Sequence, residues 1–355
     1  MGHPRQGSAL DVTVELVVGV TLPISGSLLT QGHEVRRGLE LWSRGAEVEG
    51  RRRIHLRILD DGSSARRAGA NAERLLEQEV DLLFGPYGGA AGRAVSELAG
   101  RPGVLIWNHS SSDDDVARPF VVTLPTPASK YLVGAVELAA EQGCLHALVA
   151  VSDTRFGVAV ARGAERCATA REMDASVLYV APGQWVTRRP EILSYAAQGS
   201  LVALCGALRD DIETVAALRD RGEGPSVIAA VGAGVHEFGR ALGSRAEGVI
   251  GPSQWEPEDT SADVGPSSSR MVAAYRDLHG SSPDYLAVQA WSCGVLAEAA
   301  LDQVGPEPED LWSWAMRFDG RTAYGDFRLD SEGRQVGHRL RLVRWDARRN
   351  RKLLT

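Results

Sequence analysis

Short apolar runs alternate with amphipathic stretches along nearly the whole of this chain, and that alternation restricts the folds open to it. ELVVGV (15–20) reads as a strand and residues 30–44 as a helix. RIHLRIL (53–59), VDLLFG (80–85) and GVLIW (103–107) repeat the strand signal, with helices expected over 64–78 and 89–100. Strand–helix–strand repetition implies a parallel sheet wrapped on both faces.

A second series begins after FVVTLP (120–125). Strands are expected at LHALVAV (145–151), SVLYVA (176–181), SLVALCG (200–206), SVIAAVG (226–232) and GVIGPS (248–253). Helices are expected over 129–142, 156–170 and 210–221. Residues 257–269 read as a loop, 266–280 and 284–303 as two long helices, and GDFRLD (325–330) and GHRLRLVRW (337–345) as closing strands. Two series predict an α/β chain of two Rossmann-like lobes with parallel sheets. The expected division is 12–123 plus 251–330 for the first lobe and 124–250 plus 331–349 for the second, with 1–11 and 350–355 as flexible termini.

A chain of 355 residues exceeds a typical single core, which agrees with two lobes. Its net charge of −7 argues against a nucleic-acid partner, which would demand a basic face. Cys144, Cys167, Cys205 and Cys293 form no CxxC pair and are expected as free thiols rather than a metal or redox site. No stretch reaches the roughly 18 apolar residues that span a bilayer, so the chain is not expected to cross a membrane. The opening MGHPRQGSALDVTVE lacks the apolar core of a secretory signal. The expectation is therefore a periplasmic or extracellular protein whose signal was removed, or a cytoplasmic one.

An open parallel sheet binds ligands beyond the carboxyl ends of its strands. That rule selects the loops 21–32, 60–64, 85–89, 107–115, 152–156, 205–209 and 232–236. In TLPISGSLLTQG (21–32), Ser27 and Thr30 suit helix capping, and Gln31 is the polar contact candidate nearest the helix entry. In GPYGGAAG (85–92), the glycines allow close backbone approach, and the N–H groups at the helix start suit an anion. WNHSSSDDD (107–115) is either a ligand-wrapping cluster of hydroxyls or a solvated Ser/Asp turn. Its acidic run reads as a solvated face with a cap. Tyr87, Trp107, Phe156 and Trp255 each fall at or just past a strand end and together suggest a pocket with an apolar wall.

Enzyme signatures are absent from the sequence: there is no GxSxG elbow, no GxxxxGK[ST] loop and no HExxH. Adjacent Asp60 and Asp61 would face opposite ways on a strand, poor geometry for an acid–base pair. His109 has no partner at metal-ligand spacing. Neither catalysis nor a cofactor nor a metal is expected.

The order of several stretches resembles the branched-chain amino-acid-binding family of type I periplasmic binding proteins. VGVTLPISGSLLTQGHEVRRGLELW (18–42) is similar to that family's opening strand, turn and first helix. ILDDGSSARRAGANAERLLEQEVDLLFGPYGG (58–89) is similar to its DD loop, second helix and GPxxS loop. AEGVIGPSQWEP (246–257) resembles its crossover, and YGDFRLDSEGRQVGHRLRLVRW (324–345) its terminal hairpin. The resemblance implies two lobes joined by three crossovers and hinge closure around one small molecule. It implies contacts to a ligand carboxylate at Gly89, Ala90, Ser110 and Ser111. Tyr87, Gly88, Asn108 and Trp255, in the loops selected above or just past a strand end, complete the expected ligand-binding set. Gln31 and Phe156 stand where relatives often carry Tyr, and Gly89 where they commonly carry Ser. PTPASK (125–130) offers Pro127 where amino-acid binders often place an Asp, so an amide, a carboxylic acid or an aromatic acid competes with an amino acid. The expected function is solute binding for delivery to an ABC transporter permease. The alternative is a cytosolic amide- or amino-acid-sensing regulator on the same fold.

Overall fold

The computed structural model describes residues 14–49, 51–197, 199–222, 224–258 and 261–354. The first sheet has five parallel strands in the order β2-β1-β3-β4-β5. They are β1 (Val14–Leu22), β2 (Arg52–Asp60), β3 (Leu82–Phe84), β4 (Ile106–Asn108) and β5 (Val121–Thr123). Between them run α1 (Leu29–Val48), α2 (Ala65–Glu77) and α3 (Gly89–Ser96). Odd and even strand residues feed different cores. Leu16, Val18, Val20 and Leu22 face α1, whereas Leu83, Ile106 and Val121 face α2 and α3. Apolar side chains on both faces are what a doubly covered parallel sheet demands.

The second lobe repeats the plan with α4 (Val133–Glu141), β6 (His146–Ser152), α5 (Arg155–Ala170), β7 (Asp174–Val180), α6 (Trp185–Ser194), β8 (Ser200–Cys205), α7 (Leu208–Arg219), β9 (Val227–Ala230), α8 (His236–Leu242) and β10 (Ile250–Ser253). The chain then returns to the first lobe as α9 (Ser268–His279), α10 (Tyr285–Val304), α11 (Pro308–Arg317) and the short pair β11 (Gly320–Arg321) and β12 (Asp326–Phe327). It ends in the second lobe as β13 (Arg341–Trp345) and β14 (Arg351–Leu354). The second sheet runs β14-β13-β10-β9-β8-β6-β7, parallel except for its last two strands. Three segments, 124–127, 254–267 and 328–340, therefore pass between the lobes.

Several expectations shift. β10 pairs with β9 and β13, so the boundary drawn at 250/251 falls after Ser253. Segment 350–355, expected as a flexible tail, contains β14, held antiparallel against β13. Segment 1–11 lies outside the described residues. The stretch 324–345 is no single hairpin: β12 stays with the first lobe and β13 with the second. The unforeseen helices α6, α8 and α11 carry Pro190 inside, span seven residues, or open on Pro308, so each lacks a long apolar period. The four cysteines are free.

The first lobe depends on close contact between α1 and α10. Gly38 of α1 lies against the Ala287 carbonyl, and Gly294 of α10 lies under the Trp42 ring; a Cβ at either would overlap its neighbour. Trp42 also stacks on Phe84 at 5.6 Å and donates through Nε1 to Glu298 at 3.1 Å. Arg51 pairs with that buried carboxylate at 2.6 Å. Gly38→Ala is expected to destabilise the first lobe by about 2 kcal/mol through overpacking, measured by urea denaturation. An unchanged unfolding midpoint would contradict this packing.

Candidate functional site

Both sheets aim the carboxyl ends of their parallel strands at the space between the lobes. On the first lobe the loops are bolted to one another. Asp60 Oδ1 accepts from Ile24 N (3.0 Å), Ser25 N (3.1 Å) and Gly62 N (2.8 Å), and Ser25 Oγ donates to its Oδ2 at 2.6 Å. That hydroxyl leads the groups that hold the Asp60 carboxyl below its ordinary value. On the second lobe, buried Asp211 plays the same part. It accepts from Gly206 N (2.8 Å) and Gly232 N (2.9 Å), joining the loops after β8 and β9, and burial pushes its carboxyl up to about 6.

A continuous hydrogen-bonded chain crosses the hinge. Gln289 Nε2 donates to the Tyr324 hydroxyl (2.7 Å), which donates to Gln254 Oε1 (2.9 Å). Gln254 Nε2 donates to the Tyr131 hydroxyl, which donates to Ser112 Oγ (3.0 Å). The His338 ring stacks on Tyr324 at 4.0 Å, and its Nδ1 pairs with Thr126 Oγ1 at 2.5 Å. Tyr285 lies near enough to Tyr87, Tyr131 and Tyr324 to interact with each. Phe156 meets Tyr131 edge-on at 5.1 Å. The floor of the cleft is thus aromatic and hydrogen-bonded.

Two cavities with walls from both lobes flank this floor. One, of about 490 Å³, lies between Arg276, Asp284 and Tyr285 of the first lobe and His236, Arg240, Arg349 and Arg351 of the second, with Trp255 and Glu256 from the crossover. The other, of about 440 Å³, lies between Asp113–Asp115 and the start of α5 at Asp153–Arg155. In the first cavity Glu256 is taken by Arg351 (3.2 Å) and Ser253 Oγ (2.7 Å), and Glu237 by Arg240 (2.5 Å). Arg276 donates to Ser282 Oγ at 2.9 and 3.2 Å. Asp284 caps α10 through Leu286 N (2.9 Å), and its enclosure pushes the carboxyl up to about 6.

The residues singled out in the sequence divide into two groups. Gln31, Tyr87, Gly88, Gly89 and Ala90 come together where α1 and α3 begin; Leu28 reaches to 3.5 Å from where a Cβ on Gly88 would stand. Phe156 and Trp255 reach the floor and the first cavity. The side chains of 107–111 turn the other way, into the first lobe. Asn108 spans the loop, donating to Ser111 O and accepting from Ser111 N at 2.9 Å each. Ser110 Oγ is bonded to His109 Nδ1, and Ser111 Oγ is wedged against Gly92 of α3. Burial lowers the His109 pKa to about 4, leaving a neutral ring within the first lobe. Trp107 is core.

The acidic run is only in part a solvated face: Asp115 is exposed and Asp113 is buried. Asp113 is paired with Arg93 and packs on Gly89, Asp114 accepts from Ser129 N (3.0 Å), and Asp115 pairs with Arg155 (2.7 Å) across the cleft. Tyr131, Tyr285, Tyr324 and His338 escape the sequence reading, because they sit on crossovers and at a helix start rather than at strand ends. Gln254 directly follows β10, where the aromatic signal selects its neighbour Trp255 instead.

Two doubly wound lobes joined by three crossovers, with strand ends meeting across an aromatic cleft, define a two-lobed binding-protein fold. The family described as periplasmic binding protein matches residues 15–350, and the chain belongs to it. The chain is similar to the leucine-binding protein LivK of Thermotoga maritima, with TM-score 0.80, 17% identity and coverage of 96% of this chain and 98% of that one. It is similar to a solute-binding protein of an ABC transporter from R. palustris in complex with benzoate (TM-score 0.78, 20% identity, 96% and 95% covered). It is also similar to LivJ of Streptococcus pneumoniae in complex with isoleucine (TM-score 0.75, 16% identity, 96% and 99% covered). A comparison with curated proteins returned no match. The family and fold implied by the motif order are borne out.

The buried His338 carries a pH dependence. Burial lowers its folded pKa from 6.5 to about 4, so its contribution to stability is complete above the unfolded pKa and lost as pH falls through the folded one. Wild type is expected to lose on the order of 2–3 kcal/mol relative to His338→Gln between about pH 7 and about pH 4. Urea denaturation across that range checks it, and a constant difference between the two proteins would contradict the assignment.

Proposed function

We propose that the chain binds one small polar solute between its lobes and delivers it to the permease of an ABC transporter, performing no chemistry itself. The observation that carries this reading is the cavity of about 490 Å³ whose walls come from both lobes and whose floor is aromatic. Its volume lies within the usual range of roughly 300–1,000 Å³ for small-molecule sites. A ligand there touches both lobes only when they are closed, so its differential contacts favour closure. Delivery to a permease places the protein outside the cytoplasm.

Amino acids, amides and carboxylic or aromatic acids are the solute classes this reading admits, and the ligands named for the LivJ and R. palustris structures fall among them. Of the residues singled out in the sequence, Trp255 lines this cavity, and Gln31, Tyr87, Gly88, Gly89, Ala90 and Phe156 are proposed to face the solute from the rest of the cleft. Tyr285 joins them from the start of α10. Asn108, Ser110 and Ser111 are proposed to shape the site from behind, since the Asn108 and Ser110 side chains bond within the loop and the buried Ser111 side chain packs on Gly92 of α3.

A thermal-shift screen over those classes tests the reading. A solute at about 100 times its Kd adds roughly 2.7 kcal/mol of stability. Tyr285→Ala is expected to weaken that solute about tenfold while circular dichroism shows an intact fold. If no class raises the melting temperature, the proposed function falls; if affinity survives in Tyr285→Ala, the cavity is not the site.

A further inference from the structure

The two ends of the cleft differ in what they offer a charged solute. At the α3 end, a carboxylate already stands beside the helix start. The Asp113 carboxylate rests on Gly89 so closely that a Cβ there would overlap it, and Arg93, one turn along α3, holds it in place. Asp114, Asp115 and Asp153 line the cavity beside it, countered by Arg155 and Arg162. An incoming anion meets carboxylate oxygens on this side, and like charges brought together in a cleft are strongly disfavoured.

The opposite end has the reverse balance. In the 490 Å³ cavity, Arg351 and Arg240 are matched to Glu256 and Glu237. Arg276 from the first lobe makes its hydrogen bonds to a neutral hydroxyl, and Arg349, on the turn between β13 and β14, faces the same space from the second lobe. Against these two guanidinium groups stands Asp284, already engaged as the cap of α10. Guanidinium groups suit carboxylates through paired N–H donors. Tyr285, Trp255 and Val272 supply an apolar wall beside them.

We propose that the solute is a small carboxylate with an apolar body, and that its carboxylate is received between Arg276 and Arg349 rather than at the start of α3. This rests on the interlobe reading above and reverses the orientation that the family resemblance implies. Closure then brings one cation from each lobe onto a single anionic group, so the charge itself favours the closed state.

Matched pairs test it: benzoate with benzamide, and 4-methylpentanoate with its amide, titrated calorimetrically. Wild type is expected to bind the acid of at least one pair about tenfold or more tighter than the amide. Arg276→Gln, on the exposed face of α9, and Arg349→Gln, on a surface turn, should each abolish most of that preference and leave amide binding near its wild-type level. Equal affinity for acid and amide in wild type overturns the inference, as does a preference that survives both variants. Acid affinity that rises in Asp113→Asn and ignores Arg276→Gln also overturns it, and returns the carboxylate to α3 with the interlobe reading intact. If neither member of either pair binds wild type while another solute from the screen does, the carboxylate class is wrong. If nothing binds, the interlobe reading falls and takes this inference with it.

Discussion

Gln254 holds the two halves of the molecule in register. It lies on the second crossover, almost wholly buried, and a buried amide must satisfy both its donor and its acceptor side. Its oxygen is met by Tyr324 of the first lobe and its nitrogen by Tyr131 of the second. The chain of donors runs on to Gln289 and Ser112 without a break in polarity. Each hydroxyl both accepts and donates, which polarises and strengthens its neighbours. Nearby, Gln335 of the third crossover donates to Leu124 O of the first at 3.3 Å. All three connections are therefore fastened at the base of the cleft, and every loop that faces the solute is positioned from that base.

The loops in turn are stiffened by carboxylates whose work is structural. Asp60 and Asp211 each gather backbone N–H groups from neighbouring loops. Asp113, Asp114 and Asp115 each take a different partner, two of them in the second lobe. An adjacent pair or triplet of acids thus binds this protein to itself. Among the charged groups of the 490 Å³ cavity, Arg276 and Arg349 then face it from opposite lobes.

Much of the fold was legible from particular residues. Runs such as LHALVAV and SLVALCG are apolar on both faces, which leaves a doubly covered parallel strand as their natural place. Short or proline-bearing elements such as α6 escaped, because ten residues with Pro190 at their centre carry too little period to read. The cleft was legible in part. Tyr87, Gly88, Gly89, Phe156 and Trp255 follow strands, so the strand-end rule finds them. Tyr131, Tyr285 and Tyr324 follow no strand of their own sheet, and no local rule marks them.

The sequence alone determined the alternation of elements, the two-lobed plan and the family, because periodicity and motif order are local properties that survive without knowledge of contacts. Only the tertiary structure decided which polar groups face the cleft. Ser110 and Ser111 read as donors in the chain, yet their hydroxyls point to His109 and Gly92. Asp113 read as solvated, yet it fills the space on Gly89. The physical reason is that a polar side chain is oriented by whichever neighbours the fold brings nearest, and hydrogen-bonded partners lie up to 256 residues away, as Trp42 and Glu298 do.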